Sequence, residues 1–340
     1  MRYPQTLAKE SLNSPYAMRT VGVSAGTAAV LGLRRIRQTD PPTTAYLMVG
    51  ESCAQTCTFC TQAQQSTARS HFLSRVAWPV FPRSKTVVAI ARSFAVHRTV
   101  RCCLQVTLFP GYLSTTLDLV HQLRSVSGIP ICVSVVTSNL DDVGALLARG
   151  AERVTLALDA ACERVYAVSK GGGWQDRLDL LRAAARLFPG DIGTHLIAGL
   201  GESEQEMSVM LQEMVDRQVP VGLFSFTPVA GTAWEDRAPP TLPVYRRVQA
   251  ARYLLDAGAC RTSGFRFGPT GRIVSYGLNR DTLGKLLAGG QAFQTAGCPG
   301  CNRPYYNERP GRAMYNYPRP LDSQEAEAAI DTVLAGLDLM

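Results

Sequence analysis

Apolar runs of strand length recur along this chain, separated by stretches with helical periodicity. The runs fall at 45–49, 100–108, 129–136, 153–158, 192–198 and 221–226, with a weaker one at 264–267. They are continuous rather than alternating, as in strands covered on both faces. Between them, 140–149, 174–188, 203–217 and 242–257 repeat apolar residues at helical spacing. Ser203 followed by Glu206 reads as a capping box, and Gly150 and Gly258 fall at helix ends. Repeated βα units predict a parallel sheet, either an open doubly wound one or a barrel. No G-x-G-x-x-G opens the first unit, which argues against a dinucleotide-binding domain. The expectation is an α/β fold of the (β/α) TIM-barrel type, full or partial, over 43–290. An N-terminal leader with a helix occupies 1–42. A cysteine-containing tail, rich in Pro, Tyr, Asn and Arg and ending in a helix at 323–337, occupies 291–340.

Composition narrows the class only slightly. Hydrophobic residues make up 46% and charged residues 18% of 340, a globular balance. No apolar run approaches the roughly 18 residues of a membrane span; 21–33 is broken by Ser24, Gly26 and Thr27. The first residues lack the charged-then-apolar layout of a signal peptide, so a soluble, cytoplasmic protein with no membrane role is expected. The net charge of +8 is spread along the chain. No nucleic-acid motif accompanies it, and an acidic protein or small anionic substrate is the partner class it favours.

The ten cysteines carry more information. In a reducing compartment they are free thiols or metal ligands. Three crowd into Gly50-Glu51-Ser52-Cys53-Ala54-Gln55-Thr56-Cys57-Thr58-Phe59-Cys60, directly after the first strand. Three thiolates at this spacing can hold three irons of a 4Fe–4S cube, leaving the fourth iron open to a ligand. A zinc site usually takes four protein ligands, often as two spaced pairs. The loop also lies at the carboxyl end of a strand, where parallel α/β folds collect their ligands. Cys298 and Cys301 form a C-x-x-C on a Pro/Gly turn. Such a pair can hold a second cluster, half a zinc site or a redox couple.

C-x3-C-x2-C with Phe59 before its last cysteine resembles the signature of the radical S-adenosylmethionine (SAM) superfamily. The resemblance implies that Cys53, Cys57 and Cys60 carry a SAM-cleaving 4Fe–4S cluster. SAM would chelate the open iron. One electron, from a reductant such as ferredoxin or flavodoxin, would split it into methionine and a 5′-deoxyadenosyl radical that abstracts hydrogen from substrate. Leu156-Ala157-Leu158-Asp159 resembles the place where biotin synthase and its relatives set a carboxylate near the SAM ribose. Asp159 could equally cap a following helix. Ile197-Ala198-Gly199-Leu200-Gly201-Glu202 resembles the G-x-I-x-G-x-x-E element that contacts adenine, with His195 in place of its first glycine, so Phe59, Asp159, Ile197 and Gly199 are the implied SAM contacts. His195 reads either as a satisfied core histidine or as a contact to SAM or substrate.

The tail Cys298-Pro299-Gly300-Cys301-Asn302-Arg303-Pro304-Tyr305-Tyr306-Asn307 and Tyr315-Asn316-Tyr317-Pro318 is similar to that of the two-component, archaeal-type lipoyl synthases, a biotin synthase-like branch. Tyr16-Ala17-Met18-Arg19, the stretch Phe72 to Pro79, and Gln105 to Gly111 resemble them too, so the likeness spans the chain. It implies sulfur insertion into an octanoyl-lysine of an acidic lipoyl-carrier protein, with a paired radical SAM subunit and a second, auxiliary 4Fe–4S cluster dismantled for its sulfur. Besides Cys298 and Cys301, the implied ligands are Cys103 on the second strand, Cys132 on the third and Arg266 on the seventh. No cysteine stands near Gly193, where biotin synthase has one on its fifth strand. A lone strand cysteine can also be a small buried hydrophobe. Cys102, on the opposite face of its strand, Cys162 and Cys260 are expected to be inert. Two other functions fit parts of the pattern: a mutase or lyase relative without sulfur transfer, and a non-catalytic iron–sulfur carrier.

Overall fold

The computed structural model describes residues 19–69, 71–308, 311 and 313–338. Tyr16, Ala17 and Met18 therefore lie outside the described residues. Twelve strands occur among those described: β1 (Thr20–Val23), β2 (Thr44–Val49), β3 (Phe72–Leu73), β4 (Val76–Ala77), β5 (Val80–Pro82), β6 (Arg101–Val106), β7 (Ile131–Ser134), β8 (Arg153–Thr155), β9 (Ile192–Ala198), β10 (Val221–Ser225), β11 (Arg266–Phe267) and β12 (Ile273–Ser275). The six stronger apolar runs are β2 and β6 to β10. They stand side by side in sequence order, all parallel, because each is joined to the next by a helical crossover. All six residues of β2 are buried, which fits a strand with the barrel interior on one side and helices on the other.

The four helices expected from periodicity are present as Leu140–Ala148, Trp174–Leu187, Glu204–Asp216 and Leu242–Asp256. The Ser203/Glu206 capping box holds, each side chain satisfying the other's backbone N–H. The closing helix runs Ser323–Leu334.

Two expectations change. The leader supplies a strand as well as a short helix: β1 pairs antiparallel with both β2 and β5, widening the sheet to eight strands. And the weak run at 264–267 does not become a seventh barrel strand. A 3-10 turn at Thr262–Gly264 precedes it and a turn at Gly268–Gly271 follows. Only two extended residues remain, too few to run through a sheet, and they pair with β12 in a separate hairpin.

The sheet is thus a partial barrel with β10 at one edge and β5 at the other, and the tail packs across it from the residues around β2 to β10. Thr43 donates through Oγ1 to Gly300 O at 2.6 Å, and Arg101 through Nε to Pro299 O at 3.2 Å, both at the N-terminal ends of their strands. Farther in, the Arg303 N–H donates to Tyr46 Oη at 2.9 Å. At the carboxyl end, Asn307 Nδ2 donates to Ser225 O at 2.6 Å. Asn316 holds the return of this segment, accepting from Tyr245 Oη (3.0 Å) and Gln249 Nε2 (3.1 Å) and donating to Asn307 Oδ1 (3.1 Å). At the edge strand this gives the Ser225 carbonyl a partner from the tail.

Candidate active site

The three-cysteine loop begins where β2 ends, at Gly50. Its φ of +98° lies in the left-handed region, and a Cβ there would sit 2.1 Å from Thr107 Oγ1 and 2.7 Å from the Phe109 ring, so only glycine makes this turn. Neighbouring loops then pin the segment. Ala54 N donates to Leu108 O at 2.8 Å and Thr58 N to Ser169 O at 2.9 Å, while Trp234 N donates to Thr58 O at 3.2 Å. Backbone N–H groups also aim at two of the sulfurs: Leu108 N at Cys53 Sγ (3.3 Å) and Gln62 N at Cys60 Sγ (3.4 Å). Hydrogen bonds of this kind tune the charge on cluster thiolates. Burial, then the neighbouring Cys57, pushes Cys60 up to about 12, and burial likewise raises Cys57. Without metal both are thiols, and a metal binding there must displace their protons.

Beside Cys60 lies a cavity of about 210 Å³ lined by Phe59, Asp159, Ile197, Gln105, His195 and Tyr306 among others. Of the four implied SAM contacts, Phe59, Asp159 and Ile197 face it. Gly199 does not border it; its N–H is taken by Glu202 Oε1 at 2.6 Å, which closes the turn after β9. Asp159 is no helix cap, since the next helix, Glu163–Lys170, is capped by Cys162. Asp159 instead extends β8 by a bridge to Leu196, with φ at +64°. Its carboxylate accepts from Lys170 Nζ at 2.5 Å. Burial lowers the Lys170 ammonium's pKa, but Asp159, Cys57 and Tyr166 outweigh it and the net shift is upward, so it stays charged. Lys170 was not singled out from sequence; a lysine at a helix end usually only complements the dipole.

A second group of cysteines meets deeper in the barrel. Cys103 and Cys132 are register partners on β6 and β7, and Tyr46 on β2 is the register partner of Cys103 on its other side. The tail brings Cys298 and Cys301 to them. The Cys132 thiol interacts electrostatically with those of both Cys103 and Cys298, and its Sγ lies 3.4 Å from Thr155 Oγ1. Cys301 Sγ lies 3.2 Å from Tyr46 Oη. Gln105 Nε2 donates to Cys103 Sγ at 3.0 Å. All four cysteines, with Arg153 and Arg303, border one small void of about 40 Å³. The interaction with the Cys103 thiol, which favours the protonated form of Cys132, pushes it up to about 12 together with burial; the interaction with Cys132, then burial, raises Cys298 as well. Cys102 points the other way into the outer core, fully buried.

Arg266 is not near this group. On its hairpin it is exposed and donates to Asp338 O at 3.1 Å. Of the two guanidiniums at the void, Arg153 donates through Nη2 to Gly190 O at 3.2 Å and has no hydrogen bond at its buried Nε and Nη1, and Arg303 has none at its buried Nε. Among the described residues, no three His, Cys, Asp or Glu side chains converge so as to hold a single metal ion. A cluster spreads its thiolates over separate irons, so the donor set of either cysteine group fits one. The void at the second group is small, about 40 Å³.

The two cysteine groups share a wall. Gln105, His195, Phe224 and Tyr306 border both cavities. His195 packs edge-on against Phe224, ring centroids 5.1 Å apart. Burial and then the Arg303 charge pull it down to about 4, so it is neutral near pH 7. Arg303 itself stacks over Phe224 at 4.0 Å.

Residues 47–214, from β2 through the helix after β9, match the model of the radical SAM superfamily. This region is a radical SAM domain. Its partial barrel resembles that of the FeFe-hydrogenase maturase HydG from Carboxydothermus hydrogenoformans, with a TM-score of 0.51 and 16% identity over 63% of this chain and 51% of that one. A second HydG structure gives 0.52 and 12% over 74% and 56%. Methylornithine synthase, PylB, gives 0.50 and 15% over 74% and 70%. The chain thus spans about half the length of the HydG structures, and at these identities the likeness is one of fold. No curated protein matches the sequence. The domain implies a 4Fe–4S cluster and SAM as its cofactors. Among the described residues no helix is long and apolar enough to cross a membrane.

Proposed function

We propose that this radical SAM enzyme inserts sulfur, as one subunit of a lipoyl synthase acting on an octanoyl-lysine of an acidic carrier protein. One observation supports the reading above the others. Cys103, Cys132, Cys298 and Cys301 gather directly behind the cavity that holds Cys60 and Asp159, with only Gln105, His195, Phe224 and Tyr306 between the two spaces. A reaction that opens a C–H bond and then forms a C–S bond at the same carbon needs two such adjacent centres.

A cluster on Cys53, Cys57 and Cys60 supplies the carbon-centred radical from SAM when bound, and one on the second cysteine group supplies the sulfur. The chain's own residues prepare the space. Asp159 can accept from the ribose hydroxyls, and Lys170 holds that carboxylate in place. Phe59 and Ile197 provide apolar walls. Tyr306 and Phe224 keep water from the shared boundary. His195, being neutral, adds no charge there, while Arg303 adds one that offsets the thiolates of Cys301 and Cys103. The electron comes from a reductant of the ferredoxin or flavodoxin type, and a paired radical SAM subunit completes the two insertions.

Reconstituted protein should hold two clusters, about eight irons per chain. It should form 5′-deoxyadenosine from SAM and transfer sulfur to an octanoyl-lysyl peptide. C298S and C132S should each reduce iron to about four and abolish sulfur transfer without stopping SAM cleavage. The small second void favours one alternative, a mutase- or lyase-type enzyme whose four inner thiols merely pack together. About four irons in the unaltered protein, with C298S active, would establish that alternative instead.

A further inference from the structure

One rung of the sheet supplies four side chains to the inner cysteine void. Tyr46 on β2, Cys103 on β6, Cys132 on β7 and Arg153 on β8 are successive register partners, and all four border the void. The next strand makes way for the last of them. A Cβ at Gly193 on β9 would lie 3.3 Å from Arg153 Cδ and 3.2 Å from Thr155 Oγ1, so a side chain at 193 would press on the arginine stem. The rung therefore runs from two thiols to a guanidinium, and the bare position on β9 leaves that guanidinium its room.

Arg153 finds little to bond there. Its Nη2 donates to Gly190 O at 3.2 Å, while the buried Nε and Nη1 have no hydrogen-bond partner. Buried N–H groups without partners are rare in folded proteins, and a guanidinium cannot shed its charge. Among the described residues that border the void there is no carboxylate to offset Arg153 or Arg303. Neutral thiols are weak acceptors. Sulfur bound to iron is anionic, and an ionised acceptor makes the stronger hydrogen bond. The idle donors and the fixed positive charge are thus matched to metal-bound sulfur rather than to four free thiols.

We propose that Arg153 donates N–H hydrogen bonds to the sulfurs of the cluster held by Cys103, Cys132, Cys298 and Cys301, and so sets its reduction potential. The inference rests on the sulfur-insertion reading for the presence of that cluster. Hydrogen bonds to the sulfurs and a nearby cation both favour the more negative, reduced state and raise the potential.

The test is a potentiometric titration followed by electron paramagnetic resonance. C53S/C57S/C60S removes the first cluster from the full chain, leaving about four irons on the inner group. In that background R153M removes the charge and the donors, whereas G193A keeps the arginine and pushes on its stem. At the midpoint potential of the background protein, R153M should lower the ratio of reduced to oxidised cluster about ten-fold, a downward shift of about 59 mV. G193A should lower it by a smaller factor. Iron content and circular dichroism report that each variant is loaded and folded, and if only one loads, its ratio decides. An unchanged ratio overturns the proposal. Loss of iron from both folded variants does so too, because Arg153 would then hold the site together rather than tune it. The outcomes separate the two readings. If the background protein holds no iron, sulfur insertion fails and takes the role of Arg153 with it. If the irons remain and the ratios do not move, that role falls and sulfur insertion stands. If the ratios move and the unaltered enzyme transfers no sulfur, sulfur insertion fails and the role of Arg153 stands.

Discussion

Lys170 reaches back from the end of its helix to place its ammonium 2.5 Å from the Asp159 carboxylate, with Ala157 O as a second acceptor at 3.2 Å. Both side chains are largely buried, 6% and 15% exposed. The contact links the carboxylate beside the SAM cavity to the neighbourhood of Cys57 through a single cation.

Removing that cation leaves a buried carboxylate unpaired, a change that typically costs about 3–5 kcal/mol. K170M should lower unfolding stability by that order in urea titrations and weaken SAM binding. The double variant K170M/D159N, which removes both charges, should recover part of the stability but not the SAM affinity. Equal stability of K170M and the unaltered protein would show the pair to be solvated.

His195 gives the protein a pH signature. Its folded pKa is about 4, whereas an unfolded histidine titrates near about 6.5. Above the unfolded value both states are neutral and the folded state loses nothing. As pH falls from there toward the folded value, the unfolded chain takes up a proton that the folded one refuses, and stability declines. Between about pH 7 and pH 5 the unaltered protein should lose about 2 kcal/mol more than H195Q, at about 1.4 kcal/mol per pH unit. Urea unfolding at the two pH values checks this. Parallel profiles would mean that water reaches the imidazole.

Asn316 should govern the order of the tail. N316A leaves Gln249 with Tyr315 O and Tyr245 with Leu223 O as acceptors but removes the donor to Asn307 Oδ1, at about 1–3 kcal/mol for a buried group left unsatisfied. The expected result is faster alkylation of Cys298 and Cys301, followed by mass spectrometry, with Cys102 still protected. Unchanged rates would show that Cys298 and Cys301 are held by the barrel alone.

The turn after β9 tolerates only glycine. At Gly199 φ is +98° and a Cβ would lie 2.5 Å from Pro240 Cδ, so G199A combines backbone strain with overpacking and should cost about 3 kcal/mol. Gly172 has open space and an ordinary φ, and G172A should stay within about 0.5 kcal/mol. Thermal unfolding of the pair gives the comparison.

Local chemistry made much of this protein legible from its sequence. Six apolar runs became six parallel strands, because a strand buried on both faces must be apolar throughout. The helices at 140–148, 174–187, 204–216 and 242–256 followed from periodicity and from caps such as Ser203, which act within a single turn. The cysteine loop was legible for the same reason: its three thiols lie within eight residues, and spacing alone brings them together.

What depended on distant contacts was not legible in the same way. The run at 264–267 was apolar enough for a strand, but flanking turns left it too short, and Arg266 went with it to the surface. In sequence Asp159 reads as a cap or a ligand; in the fold the helix starts later, at Glu163, and Lys170 stands against the carboxylate. Lys170 carried no signal, since a charged residue at a helix end is commonplace. Cys298 and Cys301 were conspicuous as a pair. Yet only the path of the tail across the barrel set them against Cys103 and Cys132, residues from strands more than 160 positions earlier. Sequence spacing encodes what closes within a turn or a loop; which remote side chains share a cavity is decided when the sheet curls and the tail packs across it.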